Sequence, residues 1–258
     1  MKVSSGGWCR QMCSILCESL PPKFDNHSAT LWSVASISGG GLMVIVCWSV
    51  KGGSGTTVVA ASLALTYSRR GAAPVLLVDL AGDLPAVLAL PEPEGPGATD
   101  WLAADADVAA QALERLCVPV VDGLELIPIG SCTHGDVAAG RWTEMAGWLA
   151  ARQGTVIVDT GGPPDPALVA AAATSLLVIR PCYLAARKAA RLQPVPATGI
   201  VLVTEPGRAL GRRQIESAVG VVVIAEIPLD PSIARAVDAG LLAARLPMTL
   251  SRPLGRVA

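Results

Sequence analysis

A glycine-rich segment, KGGSGTT at residues 51–57, lies between an apolar run and an alanine-rich run. The apolar run Val44–Val50 is predicted to be a β strand, and Thr57–Arg70 is predicted to be a helix. Glycines allow backbone N–H groups to curl around a phosphate, and the N-terminus of the next helix adds a partial positive charge. The glycines alone equally fit a strand-to-helix turn without a ligand, so the surrounding sequence has to decide between the two.

Strand-like and helix-like segments alternate from Met43 onward, and most strand candidates are continuous Val/Ile/Leu runs typical of parallel strands covered on both faces. The predicted strands are Val44–Val50, Val75–Asp79, Leu124–Ile129, Thr155–Asp159, Ser175–Arg180, Gly199–Thr204 and Val221–Ile224. The predicted helices are Thr57–Arg70, Ala104–Cys117, Asp136–Arg152, Pro166–Ala173, Leu184–Leu192, Arg212–Val219 and Pro231–Leu246. This alternation predicts a doubly wound, mostly parallel α/β sheet with helices on both faces and ligands at the carboxyl ends of the strands.

Residues 1–42 differ from the rest of the chain, because periodicity is weak and Ser, Gly and Cys are dense. We expect them to be a disordered leader or a gene-model extension, with natural translation starting at Met43 and the α/β domain spanning residues 43–258. A partner-binding arm is the alternative. Mean hydropathy is +0.51, but the apolar residues stand in short runs broken by Gly, Pro and charge. No membrane-spanning helix is therefore predicted.

Net charge and cysteine content argue against a nucleic-acid-binding protein and against a disulfide-bonded protein. The formal net charge of −1 provides no global attraction to nucleic acid or to an anionic membrane. We therefore do not predict specific nucleic-acid binding, and the basic side chains after residue 186 are interpreted as a solvated face. The seven cysteines are an odd number and mostly lie in apolar runs, which fits reduced, buried thiols in a cytoplasmic protein. Neither His27 nor His134 has a partner at metal-binding spacing.

Two motifs near the start of the domain resemble the MinD/ParA family of deviant Walker A ATPases. KGGSGTT is similar to the family's K-G-G-x-G-K-[ST] loop, and Lys51 matches the signature lysine that reaches the partner subunit's nucleotide in the family's dimers. LLVDL, which ends in Asp79 and Leu80, resembles the second strand and the start of switch I.

Two later motifs extend the resemblance over nearly all of the chain from Met43 to about Leu246. VIVDTGGPPD resembles the Walker B strand and switch II, with Asp159 in the Mg²⁺-side carboxylate position. AEIPLDPSIARAVDAG resembles the late I-P-x-D-P turn that passes near the adenine. The resemblance implies ATP and Mg²⁺ as cofactors. The implied nucleotide-binding residues are Lys51, Gly52, Gly53, Ser54, Gly55, Thr56, Thr57, Pro228 and Asp230, and the implied Mg²⁺ residues are Thr57, Asp79 and Asp159.

Three departures from the family pattern affect the expected activity. Thr56 replaces the loop lysine that normally offsets charge on the β- and γ-phosphates. Ala81 stands where the second switch I Asp is usual, with Asp83 two residues later. Thr204 and Glu205 replace the Asn that commonly recognises adenine. We expect weak hydrolysis or none, and Lys51 and Asp83 are the remaining catalytic candidates.

The loop form resembles the CpaE/TadZ branch of pilus-assembly localisation proteins, although residues 1–42 are not expected to form the receiver-like domain usual in that branch. The leading hypothesis is a nucleotide-binding homodimer that positions or partitions cellular machinery through a protein partner of a positioning, secretion or pilus system. The alternatives are a pseudo-ATPase scaffold that binds no nucleotide, and a true ATPase that uses Lys51 and Asp83. Pro247 and Pro253 break up the last residues, so no MinD-like amphipathic membrane helix is expected there.

Overall fold

An eight-stranded sheet forms the centre of the part of the chain that the computed structural model describes, residues 43–71, 73–132 and 137–257. The strands are β1 Met43–Trp48, β2 Val75–Asp79, β3 Val118–Val121, β4 Leu124–Ile127, β5 Thr155–Gly161, β6 Thr174–Ile179, β7 Gly199–Thr204 and β8 Val223–Pro228. Their order is β3-β4-β2-β5-β1-β6-β7-β8, and only the β3–β4 pair is antiparallel. The predicted doubly wound, mostly parallel sheet is confirmed. The predictions for residues 1–42 and for His134 lie outside the described residues.

Helices cover both faces of this sheet. They are α1 Thr56–Arg70, α2 Leu84–Val87, α3 Ala98–Ala103, α4 Arg141–Ala151, α5 Pro166–Ala171, α6 Tyr183–Ala190, α7 Arg212–Val219, α8 Pro231–Asp238 and α9 Met248–Leu254, with a 3₁₀ helix at Ala110–Leu116. Among the helices of the described residues, none combines the length and the apolar character needed to cross a membrane.

The alternate side chains of β1 enter two separate cores, which explains why its sequence is apolar throughout. Val44, Val46 and Trp48 lie in the core that includes side chains from α3 to α7. Ile45 and Cys47 lie in the opposite core, packed with side chains from α1, α2 and α9. Because both faces of β1 are buried, its carboxyl end is fixed from both sides, and the glycine-rich loop starts from a rigid strand.

The segment after α3 corrects the predicted helix Ala104–Cys117. Helix α3 ends before Ala104, which has an extended backbone (ψ 159°), and the chain becomes helical again only in the 3₁₀ helix. Asp100 fixes the earlier start, since its carboxylate accepts a hydrogen bond from the Gly97 N–H at 2.7 Å. This hydrogen bond stabilises a helix start at Ala98, before the predicted range.

The C-terminal region and the two outer strands also differ from the sequence-based expectation. The predicted helix Pro231–Leu246 ends at Asp238, and the unpredicted helix α9 follows Pro247 and contains Pro253. Helix α9 forms despite the prolines because Leu250 and Leu254 are buried on one face of it. Strand β3 was not predicted because it is short, contains Pro119 and is alternately exposed, and β8 continues four residues beyond the predicted end.

The described cysteines only partly match the expectation of buried thiols. Cys47 is fully buried, Cys117 and Cys182 are half-buried, and Cys132 is exposed; all four are free thiols. Burial raises the pKa of the Cys47 thiol well above its ordinary value. Cys47 therefore behaves as an apolar core side chain rather than as a reactive group.

Candidate functional site

The glycine-rich loop lies at the carboxyl end of β1 and opens to solvent. Gly53 and Gly55 have φ angles of 75° and 92°, a region that side-chain-bearing residues rarely adopt. A Cβ added at Gly52, Gly53 or Gly55 would meet no heavy atom within 4 Å, so there is free space above the loop. Helix α1 begins directly at Thr56, with no acidic residue in its first turn and no side-chain cap. Its free N–H groups and the loop amides form a concave surface that suits a phosphate.

Two serines fix this loop in place. The Ser49 hydroxyl donates to the Gly161 carbonyl at 2.8 Å, and the Ser49 N–H donates to the same oxygen at 3.0 Å. The Ser54 hydroxyl donates to the Lys51 carbonyl at 2.7 Å. The start of the loop is therefore attached to the end of β5, where the predicted switch II segment begins. Sequence reasoning missed Ser49, because only the fold brings it next to Gly161.

Asp159 and Thr57, both predicted to lie on the Mg²⁺ side, are brought together. Asp159 is fully buried, and its Oδ1 accepts a hydrogen bond from the Gly161 N–H at 3.0 Å. Its Oδ2 is buried and has no hydrogen-bond partner within the described residues. Burial raises the pKa of Asp159 to about 6, although the nearby Thr57 hydroxyl and the Gly161 N–H lower it; Asp79 and Asp83 add to the rise. An unpartnered buried carboxylate oxygen beside a hydroxyl fits the oxygen ligands that Mg²⁺ prefers.

Replacing Asp159 with Asn is expected to stabilise the ligand-free protein, because Asn keeps an oxygen for the Gly161 N–H and carries no charge. The wild-type folded pKa of about 6 lies above the ordinary Asp value of 3.8, so the folded state binds the proton more tightly than the unfolded chain. Wild type therefore loses stability as the pH rises from about 4 to about 6, and the variant does not. The difference should reach on the order of 1–3 kcal/mol above about pH 7.

Thermal melts in EDTA at about pH 5 and about pH 8 measure this difference, with exposed Asp107→Asn as the matched control. The melting temperature of Asp159→Asn should exceed that of wild type by more at about pH 8 than at about pH 5. The melting temperature of the control should match that of wild type at both pH values. A stability difference between Asp159→Asn and wild type that does not change with pH would contradict a raised pKa at Asp159.

Asp79 organises the turn after β2. Its buried carboxylate accepts hydrogen bonds from the N–H groups of Ala81 at 2.9 Å, Gly82 at 2.6 Å and Leu84 at 3.1 Å. Burial raises the pKa of Asp79, and these three bonds act in the opposite direction. Since both oxygens are engaged, the observed role of Asp79 is to shape the turn, and its role as a Mg²⁺ ligand stays a prediction.

The turn after β2 lies directly against the end of β5. A Cβ placed on Gly161 would lie 3.0 Å from the Cβ of Ala81, and with φ 62° any side chain at this contact would be strained. Asp83 is exposed at the start of α2 and makes no side-chain capping bond. Its charge affects the pKa of both Asp79 and Asp159, so the catalytic candidate Asp83 faces the same corner of the molecule.

A cleft of about 240 Å³ opens on the other side of the loop, and three cationic residues line it. They are Lys51 of the loop, Arg180 after β6 and Arg208 after β7. The guanidinium of Arg208 is paired with Glu205 at 2.7 Å. Sequence reasoning assigned no role to Arg180, although its place at the end of the predicted strand Ser175–Arg180 is a detectable signal for this edge of the sheet.

Pro228 and Asp230 lie at the carboxyl end of β8, away from this cleft. Asp230 accepts a hydrogen bond from the Ser232 N–H at 2.8 Å as the N-cap of α8, and this bond lowers its pKa. Pro228 lines a second cavity of about 400 Å³ together with Met248 and Arg252 of α9. Neither residue lines the cleft beside the glycine-rich loop, and their contact with the nucleotide stays a prediction.

Comparisons with known proteins agree with this geometry. A family model described as cellulose biosynthesis protein BcsQ matches residues 42–159, from β1 to the Walker B-like Asp159. No curated protein sequence matches the chain.

Solved structures similar to the chain include a ParA family ATPase from Chlorobium tepidum TLS, with 21% identity, a TM-score of 0.68 and coverage of 83% of this chain and 96% of that one. MinD from Pyrococcus horikoshii OT3, complexed with Mg-ADP, has 20% identity and a TM-score of 0.64, covering 83% and 93%. A MinC:MinD complex from Aquifex aeolicus has 20% identity and a TM-score of 0.65, covering 83% and 93%. At these identities the likeness establishes the fold.

Proposed function

We propose that this chain, a MinD/ParA-like P-loop protein, binds ATP with Mg²⁺ and acts as a dimeric cytoplasmic switch that positions or partitions a cellular assembly. The observation that carries the proposal is the open glycine-rich loop at the start of α1, together with a buried Asp159 oxygen that has no hydrogen-bond partner among the described residues. Of the similar structures, MinD from Pyrococcus horikoshii is complexed with Mg-ADP, and MinD from Aquifex aeolicus is complexed with MinC. The first supports a nucleotide ligand for this chain, and the second supports a protein partner.

Each part of the site has a separate task in binding. The backbone N–H groups of residues 52–57 surround the phosphates, and the dipole of α1 favours their negative charge. Thr57 and Asp159 are the residues that would hold Mg²⁺, which when bound neutralises charge on the phosphate oxygens. Asp79 holds the turn that carries Ala81 and Asp83, and Ser49 joins the loop to the end of β5.

Hydrolysis is proposed to be weak or absent. Phosphoryl transfer depends on positioning and on electrostatic stabilisation of the transferring group. Thr56 provides no positive charge at the position of the loop lysine, and Ala81 provides no carboxylate to orient water. These two residues also favour the second candidate function, a pseudo-ATPase scaffold of CpaE/TadZ type that binds partners without nucleotide. The third hypothesis, a true ATPase, requires ATP turnover that disappears in Asp83→Ala.

A titration with a fluorescent ATP analogue tests the proposal. Wild type should bind saturably with Mg²⁺, and EDTA or Thr57→Val should weaken binding about tenfold or more, which corresponds to about 1.4 kcal/mol. Thr66→Val is the matched control, because Thr66 lies on the same helix and donates only to the Ser62 carbonyl. Saturable binding that is unchanged by EDTA and by Thr57→Val would contradict the proposed metal site. The absence of binding at millimolar nucleotide would favour the pseudo-ATPase scaffold.

The dimer and the protein partner are also part of the proposed function. We propose a homodimer in which Lys51 reaches the partner subunit's nucleotide, and a protein partner from a positioning, secretion or pilus system. Neither specific nucleic-acid binding nor direct membrane attachment is part of it. The match to the BcsQ family model ends at Asp159, and beyond that residue the similarity to solved structures supports the fold alone.

A further inference from the structure

Lys51 and Arg180 lie next to each other at the carboxyl edge of the sheet. Strands β1 and β6 are parallel neighbours, with Trp48 opposite Leu177 in the register. Lys51 and Arg180 each follow their member of that pair by three residues. Both side chains line the 240 Å³ cleft beside the glycine-rich loop, so the register of two strands brings two cations to one anion-sized space.

The charge of Arg180 is not neutralised within the described residues. Its side chain is half-buried, and its guanidinium forms no hydrogen bond or ion pair there. A guanidinium carries five N–H donors and stays charged, so partial burial without an acceptor is unfavourable. Arg208, across the same cleft, is already paired with Glu205. Arg180 is therefore the arginine of this cleft whose donors are free for a ligand.

The loop separates an acidic side of the site from a cationic side. In the strand order β2-β5-β1-β6-β7, Asp79 and Asp159 belong to the two strands on one side of β1. Arg180 and Arg208 follow the two strands on the other side. A polyphosphate on the loop would have the proposed Mg²⁺ on one side and guanidinium groups on the other. Thr56, at the start of α1, adds only a hydroxyl.

We infer that Arg180 binds the phosphate chain of the nucleotide directly and supplies the positive charge that Thr56 lacks. Arginine matches phosphate oxygens with two parallel N–H donors, which makes it a suitable group for this task. The inference rests on the proposed function and specifies it further: the ligand is recognised through its polyphosphate, and the charge reaches it from β6 instead of from the loop.

Competition of a fluorescent ATP analogue with ATP, inorganic tripolyphosphate and adenosine tests this inference. Arg180→Gln should weaken ATP and tripolyphosphate binding by roughly 10- to 100-fold, because charge-assisted hydrogen bonds are lost. Adenosine binding should be unchanged. Arg180→Lys should recover part of the affinity, because it restores the charge without the paired donors. The matched control is Arg213→Gln, an exposed arginine of α7 outside the cleft, which should bind as wild type does.

Each outcome has a distinct meaning. Suppose that Arg180→Gln binds ATP as tightly as wild type does, whereas Gly55→Val does not bind it. This result would overturn the role of Arg180 and leave the proposed function intact. An equal loss for adenosine and ATP would also overturn it, since Arg180 would then contact the base. Failure of wild type to bind any nucleotide would remove the proposed function and this inference together. Circular dichroism of Arg180→Gln and Arg180→Lys verifies that both variants are folded.

Discussion

Gly55→Val is expected to abolish ATP binding at millimolar nucleotide, a loss of at least about 100-fold, or about 2.7 kcal/mol. Gly55 has φ 92° and ends the loop directly before α1. The position of its Cβ is open space in the structure, and in our proposal the phosphate occupies this space. A valine there would fill the phosphate position and also strain the backbone that aims the loop amides.

Gly71→Val provides the matched control for backbone strain. Gly71 caps the other end of the same helix, has φ 63°, and likewise has no atom within 4 Å of its Cβ position. Both variants should lose some stability, about 1–2 kcal/mol each. Only Gly55→Val should lose ATP in the fluorescence titration. Equal affinity in the two variants would show that the loop does not hold the nucleotide.

Arg141→Met is expected to cost about 3 kcal/mol of unfolding free energy, or roughly 6–12 °C in melting temperature. Arg141 is 1% exposed and donates to the carbonyls of Trp101 at 2.6 Å and Val108 at 2.9 Å. Its guanidinium also lies 3.5 Å from the centre of the Trp101 ring and pairs with Glu144. Methionine fills similar volume but removes the guanidinium donor from both carbonyls. The Trp101 carbonyl keeps the Ala104 N–H at 3.2 Å, whereas the Val108 carbonyl loses its side-chain donor, and a loss of this kind costs about 1–3 kcal/mol.

Arg152→Met is the control for this prediction, since Arg152 also lies over a tryptophan and pairs with glutamates. Its partners Glu114 and Glu125 are about half exposed, and Trp148 is 5.3 Å away. An ion pair with exposed partners contributes about 0–1 kcal/mol. Chemical denaturation of both variants should therefore show a clearly larger loss for Arg141→Met. Similar losses would contradict a structural role for the buried guanidinium.

The fold was predictable because its main signals are local. The continuous apolar runs of β1, β2 and β5 indicated parallel strands, and KGGSGTT indicated the turn between β1 and α1. Thr57 and Asp159 were assigned together from the resemblance of their two motifs, and the structure brings them together. The predicted helix Ala104–Cys117 was wrong, since the hydrogen bond from the Gly97 N–H to Asp100 stabilises a helix start at Ala98 and the backbone is extended at Ala104.

The rest of the site depended on contacts between distant segments. Ser49 and Gly161 are 112 residues apart, and their hydrogen bond exists only because β1 and β5 are neighbours. Arg180 had no motif around it, and its significance follows from the register of β1 with β6. Pro228 was assigned to the adenine by resemblance alone, and its strand lies three positions from β1 in the sheet order. Such pairings require the tertiary structure.

A thermal melt of the full chain with and without Mg²⁺ and ATP tests the central claim most directly. A ligand at 100 times its dissociation constant adds about 2.7 kcal/mol of stability. For a domain of this size the expected rise in melting temperature is about 5–11 °C, and it should disappear in EDTA and in Gly55→Val. An unchanged melting temperature at millimolar ATP and Mg²⁺ would contradict nucleotide binding at residues 51–57.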